Sequence, residues 1–174
     1  MMIDNNTLDT IANDVRDKIH FLIHEGYSPL LIETWIKESM IPTGLTVSKD
    51  FRIYLTESGK EIKMRPLEKA LYLFFLKHVE GCRIKELPQY EDEILQIYNH
   101  LTVFDDVLAN RNRVSRLVDP LSKSFLEKCA NISRAFMKEM SSMEACIYCI
   151  SGRRGEPKRI TLDRNLVKWE SVIP

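Results

Sequence analysis

Between Asp119 and Leu162 the chain reads DPLSKSFLEKCANISRAFMKEMSSMEACIYCISGRRGEPKRITL, and the way this stretch folds decides the architecture. Asp119-Pro120 is a helix-start signal, since aspartate accepts hydrogen bonds from a first turn and proline fits the first helical position. Ser124 and Glu127 have the spacing of a capping box. The pattern predicts a long helix over 120–140. At about 100° per residue, Phe125, Leu126, Cys129, Ile132, Phe136, Met137 and Met140 share one half of that helix. Lys128, Asn131, Arg134 and Lys138 gather in a sector of the other half. Residues 145–150 then read as a strand, 152–157 as a turn and 158–162 as the returning strand. The turn holds Arg153 and Arg154, and the return opens with Lys158 and Arg159. A helix that buries one side and offers cations and an amide on the other, followed by a basic hairpin, has the build of a duplex-DNA reader.

Upstream of this stretch, Phe51, Ile53 and Leu55 alternate with polar or amphipathic neighbours. Ser58-Gly59 makes a turn, and Ile62 and Met64 continue the alternation, so a β-hairpin is expected over 50–64. Pro66 opens a helix that is apolar on several sides and runs to His78, with Gly81 ending it; such a helix sits centrally in its domain. Leu87-Pro88 breaks the chain before a helix over about 90–101, with Ile94, Leu95, Tyr98 and Leu101 inward. The segment 102–118, carrying Asp105, Asp106, Arg111, Arg113 and Arg116, reads equally as helix or loop.

This order of elements resembles the winged-helix effector domains of OmpR-type response regulators. The closest local likeness runs from Met64-Arg65-Pro66-Leu67-Glu68 to Leu76-Lys77-His78-Val79-Glu80-Gly81, which is similar to that family's first helix. Arg83 and Leu87 stand where its second helix is introduced. Ile132-Ser133-Arg134 through Lys138 resembles part of the recognition helix, and the 145–162 hairpin resembles the wing. The likeness covers about 50–164. Arg65 replaces the usual hydroxyl cap, Phe136 and Met137 stand at positions that tend to be basic, and the wing lacks a Gly-x-Gly-Tyr pattern. The resemblance implies an α+β, winged helix-turn-helix-like domain.

The first residues read differently. Leu8, Ile11, Ala12, Val15, Ile19, Leu22 and Ile23 recur at helical spacing, Gly26 is a stop, and Ser28-Pro29 restarts a helix with Leu31, Ile32, Trp35 and Ile36 on one side. An N-terminal helical hairpin over 1–45 is therefore expected ahead of a winged-helix-like domain over 46–174, with 40–44 as linker. The hairpin is too short for a receiver domain, and the resemblance implies for it a dimerisation or partner-binding role.

Composition narrows the function classes. The chain has 174 residues, 44% apolar and 29% charged, which is globular rather than disordered. The longest apolar run, Ala70 to Leu76, is a third of the roughly 20 residues needed to span a bilayer. Asp4 and Asp9 do not suit a cleavable leader, and the four cysteines read as reduced thiols of a cytoplasmic protein. Net charge is zero, but residues 1–50 carry 4 basic and 8 acidic side chains whereas 111–174 carry 13 and 7.

Sharper chemistry finds little support. Cys146 and Cys149 form a C-x-x-C, but on a strand residues three apart face opposite ways, so buried inert thiols are expected. His20 and His24 lack the acidic partner of a metalloprotease motif. Gly152 to Gly155 matches a nucleic-acid-clamping G-x-x-G, yet the predicted strands around it favour a plain turn. There is no phosphate-binding loop, dinucleotide fingerprint or nucleophile elbow. The expectation is a cytoplasmic DNA-binding transcriptional regulator without cofactor, metal or enzymatic activity. It contacts DNA through Lys128, Asn131, Arg134, Lys138, Arg153, Arg154, Lys158 and Arg159, and pairs as a homodimer through its first helices. The alternative is a protein-interaction module of the same shape that binds no DNA.

Overall fold

A computed structural model describes residues 5–39, 42–102 and 106–171, and the chain divides into two compact units, Met1–Ile41 and Pro42–Pro174. The first is a helical hairpin. Its α1 (Asn5–His24) stops at Gly26, whose φ of 92° lets the Tyr27 N–H reach back to Leu22 O at 3.1 Å. Its α2 (Pro29–Ser39) begins with proline, and the Ser28 hydroxyl accepts from the Leu31 N–H at 3.2 Å. Ile19 and Leu22 of the expected stripe are half-buried, whereas Ala12, Val15 and Ile23 are exposed. The side chains of Leu8 and Ile11 lie outside the described set.

The second unit is mixed α+β and mostly helical. A three-stranded sheet has the order β2–β1–β3, with β1 (Leu45–Val47) antiparallel to β2 (Ile53–Leu55) and parallel to β3 (Val167–Trp169). The alternation around Ile53 and Leu55 is therefore a strand, but its main partner lies upstream rather than over 58–64. The cause is a turn at 48–52. Ser48 Oγ accepts from the Arg52 N–H at 3.0 Å, and Phe51 takes a φ of 56°. The expected return strand shrinks to a bridge between Tyr54 and Glu61.

The central element is α3 (Pro66–Lys77), whose residues 70–76 are all buried. A 3₁₀ segment (Ile84–Tyr90) with Pro88 inside it leads into α4 (Glu91–Leu101), which packs on α3. The ambiguous stretch contains α5 (Val107–Val118), where Asp106 caps by accepting from the Leu108 N–H at 2.9 Å. Residue Asp105 lies outside the described residues. On α5, Arg111 pairs with Asp92 at 3.2 Å and Arg113 donates to Asn110 at 3.1 Å.

The long helix is shorter than its sequence signals suggest: α6 spans Ser124–Met137. Asp119 accepts from the Leu121 N–H at 2.9 Å and Ser122 Oγ from the Ser124 N–H at 3.1 Å. These side chains fold local turns, so the helix starts after them and the Ser124–Glu127 box does not form. The capping box lies downstream instead. Ser141 and Glu144 cap each other's N–H groups at the start of α7 (Ser142–Ala145). Consequently 145–150 is no strand; Cys146 N–H bonds Met143 O at 3.4 Å and Tyr148 N–H bonds Ala145 O at 3.1 Å in successive turns.

Arg164 ties the end of the chain to the core. Its guanidinium donates to Leu76 O at 2.8 Å, Leu162 O at 2.5 Å, Phe75 O at 3.1 Å and Ile160 O at 3.3 Å. A cation at the last carbonyls of α3 suits the negative end of that helix, although burial lowers its proton affinity. Among the described residues, no helix is long and apolar enough to cross a membrane.

Candidate nucleic-acid interface

The expected return strand over 158–162 does not form either: the chain after α7 turns back on itself as a minimal hairpin held by isolated bridges on two sides. Ser151 and Arg159 exchange both backbone hydrogen bonds at 2.9 Å, and Lys158 exchanges bonds of 2.8 and 3.1 Å with Cys82 on its other side. Gly81 makes that approach feasible. Its φ is 69°, and a Cβ there would stand 2.0 Å from Lys158 O. Gly152 plays the same part at the turn, where a Cβ would meet Pro157 O at 2.5 Å. The Gly152–Gly155 motif thus lies in a hairpin turn.

The turned segment leading into the hairpin is packed on α6. The Phe136 and Tyr148 rings stack at 5.3 Å, Tyr72 meets Phe136 at 5.3 Å, and Cys149 hydrogen-bonds Ser133. The Tyr148 hydroxyl donates to Thr43 O at 2.7 Å, and burial pushes that phenol up to about 12. An aromatic stack of this kind fixes the segment after α7 on the face of α6.

The eight proposed contact residues fall into two sets. Glu68, 4% exposed near the start of α3, accepts from Asn131 Nδ2 at 2.6 Å and holds Lys128 Nζ at 3.5 Å. Its other oxygen accepts the Arg65 N–H at 3.1 Å. A buried carboxylate needs such partners, so Asn131 and Lys128 join α6 to α3. Lys158 bends back over its own turn and donates to Gly152 O and, at 3.1 Å, to Arg153 O. Those three residues serve the fold. Arg134, Lys138, Arg153, Arg154 and Arg159 are exposed, and their side chains make no hydrogen bond or ion pair with described residues.

The outward side of α6 also differs from the wheel. Leu126 is 58% and Met137 47% exposed, and Leu121 just before the helix is 95% exposed. Only Phe125, Ile132 and Phe136 of the expected apolar half are buried. The wheel divides the helix correctly along Phe125–Ile132–Phe136 but makes the apolar sector too wide, because α3, α5 and α7 cover only a narrow stripe.

The cysteines sit in distinct settings. Cys82 and Cys149 are buried, Cys129 is half-buried and Cys146 is exposed. Burial pushes the Cys82 and Cys129 thiols up to about 12 and raises Cys149 as well. Because 145–149 is turned rather than extended, the opposite-faces reasoning does not apply to Cys146 and Cys149. Among the described residues no group of three or more histidine, cysteine, aspartate or glutamate side chains is placed to hold a metal. His20 and His24 are exposed on α1.

No known family, curated protein or solved structure matches this chain.

Proposed function

We propose that the second unit is a winged-helix-like DNA-binding module. It lays α6 toward the duplex and sets the 151–159 turn against the phosphate backbone. The observation that carries this reading is a set of five exposed cations without a partner among the described residues: Arg134 on α6, Lys138 at its C-terminal cap, and Arg153, Arg154 and Arg159 on the hairpin, whose leading segment packs on α6 through Tyr148 and Cys149. Charge agrees in sign, since residues 42–174 hold 22 basic and 18 acidic side chains. Lys128, Asn131 and Lys158 belong to the supporting structure and not to the contact set.

Counterion release makes the test specific. Five phosphate contacts give a log–log salt dependence with a slope of about −4.5. Alanine at Arg134, Lys138, Arg153, Arg154 and Arg159 together abolishes binding to random-sequence duplex DNA at low salt and leaves the unfolding midpoint unchanged. Binding that survives the five substitutions refutes this face.

A second reading rests on Leu121, Leu126 and Met137, whose exposure on and beside α6 suits a protein partner better than phosphate. Glu127, in the same column as Arg134 and Lys138, points the same way. On this reading the chain shifts no duplex DNA at 50 mM salt.

A further inference from the structure

The first unit has an unfinished core. Among its described side chains only Ile32 is buried, and residues 1–41 contain no cysteine pair to staple them. A two-helix element of this size cannot bury enough apolar surface alone, and units below about 40 residues generally require cross-links, metals or association. Yet its ends are well specified by the Gly26 stop and the Ser28 cap. The sequence commits to a hairpin whose stabilisation must come from outside it.

The exposed apolar side chains are not scattered evenly. Ile19 and Leu22 of α1 and Ile32 of α2 mark the seam between the helices. Along its margins lie Val15, Ile23, Tyr27, Leu31, Trp35 and Ile36, each between 36% and 48% exposed. Tyr27 and Trp35 already contact each other at 5.3 Å between ring centroids. Phe21 and Leu30, at 63% and 73% exposed, stand on the backs of their helices. Taking about 200 Å² per large side chain, the six marginal residues offer about 500 Å² of open apolar surface. A standard interface buries about 800 Å² per partner, and in homodimers about 65% of it is apolar, which is again about 500 Å².

We propose that a second copy of this chain covers that face. The two hairpins pair about a two-fold axis into a four-helix bundle, with each seam closed by the other's marginal residues. The unit's charge makes the proposal distinctive. Residues 1–41 carry 7 acidic and 3 basic side chains, so pairing brings two copies of net −4 together. Apolar contact must outweigh their repulsion, and added salt must strengthen the dimer by screening it. Docking of the acidic hairpin on a basic surface would show the opposite salt response.

Light scattering and sedimentation of the full chain test this without DNA. The mass should be twice 20.3 kDa, with association tighter at 500 mM salt than at 50 mM. Trp35→Glu and Leu31→Glu, made separately, should each weaken association by at least about thirtyfold, the scale of an interface hot spot. Phe21→Ser and Leu30→Ser, on the helix backs, should leave it unchanged. Far-UV circular dichroism of each variant under dimeric conditions reports whether the helices persist. A monomeric full chain, a dimer indifferent to both marginal substitutions, or one that weakens with salt overturns the proposal. None of these outcomes depends on whether the second unit binds DNA.

Discussion

The inner edge and the outer column of α6 carry similar side chains in opposite surroundings. On the inner edge, Lys128 is 20% exposed beside a Glu68 side chain that is 6% exposed, and Asn131 donates to the same carboxylate. One turn away, Arg134 and Lys138 meet solvent with no partner among the described residues. The inner groups answer a problem created by burying an acid, so removing them leaves a charge or a lone pair uncompensated. The outer groups answer no internal need, so they are free for a ligand and nearly neutral for stability. The difference teaches that a cation's place on a helical wheel says little about its role until the neighbour across the interface is known.

The contrast breaks most readily at Glu68 and at Arg164. Glu68→Ala strips the partners from Lys128, Asn131 and the Arg65 N–H. Arg164→Ala leaves four carbonyls at the end of α3 and the hairpin stem without their donor. Each should cost about 3 kcal/mol or more in urea unfolding; a loss below about 1 kcal/mol at either would show that the buried network is not what holds α6 and the hairpin in place.

Smaller substitutions sharpen the comparison. Asn131→Ala and Lys128→Ala should each destabilise by about 1–2 kcal/mol, whereas Arg134→Ala and Lys138→Ala should stay within about 0.5 kcal/mol. A double-mutant cycle between Glu68 and Asn131 should return a coupling near 1 kcal/mol, and one between Glu68 and Arg134 none. Equal costs on the two sides would erase the distinction.

Thiol chemistry reads the same inside–outside division without mutation. In the native protein at pH 8 one cysteine, Cys146, should react rapidly with an aromatic disulfide reagent. Cys82, Cys129 and Cys149 should respond only on unfolding, since burial holds all three thiols protonated. Rapid reaction of two or more would mean that the hairpin stem opens.

The smallest effect is on pH. Burial pushes the Glu93 carboxyl up, but hydrogen bonds from Lys77 and His78, at 3.1 and 3.0 Å, outweigh it and the group ends below its usual value. A depressed carboxylate stabilises the fold above its unfolded pKa, and that contribution fades as pH falls through the folded one. Glu93→Gln should therefore flatten the stability profile below about pH 4.5 by less than about 1 kcal/mol. An unchanged acid limb would remove Glu93 from the account.

Much of the scaffold is legible in local chemistry. Pro66 opening an apolar helix, Ser28-Pro29 restarting the chain after Gly26, and Ser141-x-x-Glu144 capping α7 are all signals that act over a few residues. The last stands just ahead of 145–150, which reads as a strand from sequence although the capped turn carries the chain into further turns. The three-stranded sheet was illegible in part for a different reason. Each strand has three residues, too few for a period to register, and β3 joins β1 from more than a hundred positions away.

What local sequence settled is the stop at Gly26, the helix starts at Pro29 and Pro66, and which residues are apolar enough to need cover, because caps, prolines and glycines act on their own neighbours. Only the tertiary structure decided which cations are structural. Glu68 and Asn131 lie 63 residues apart, and whether a charge is partnered depends on what long-range packing sets beside it.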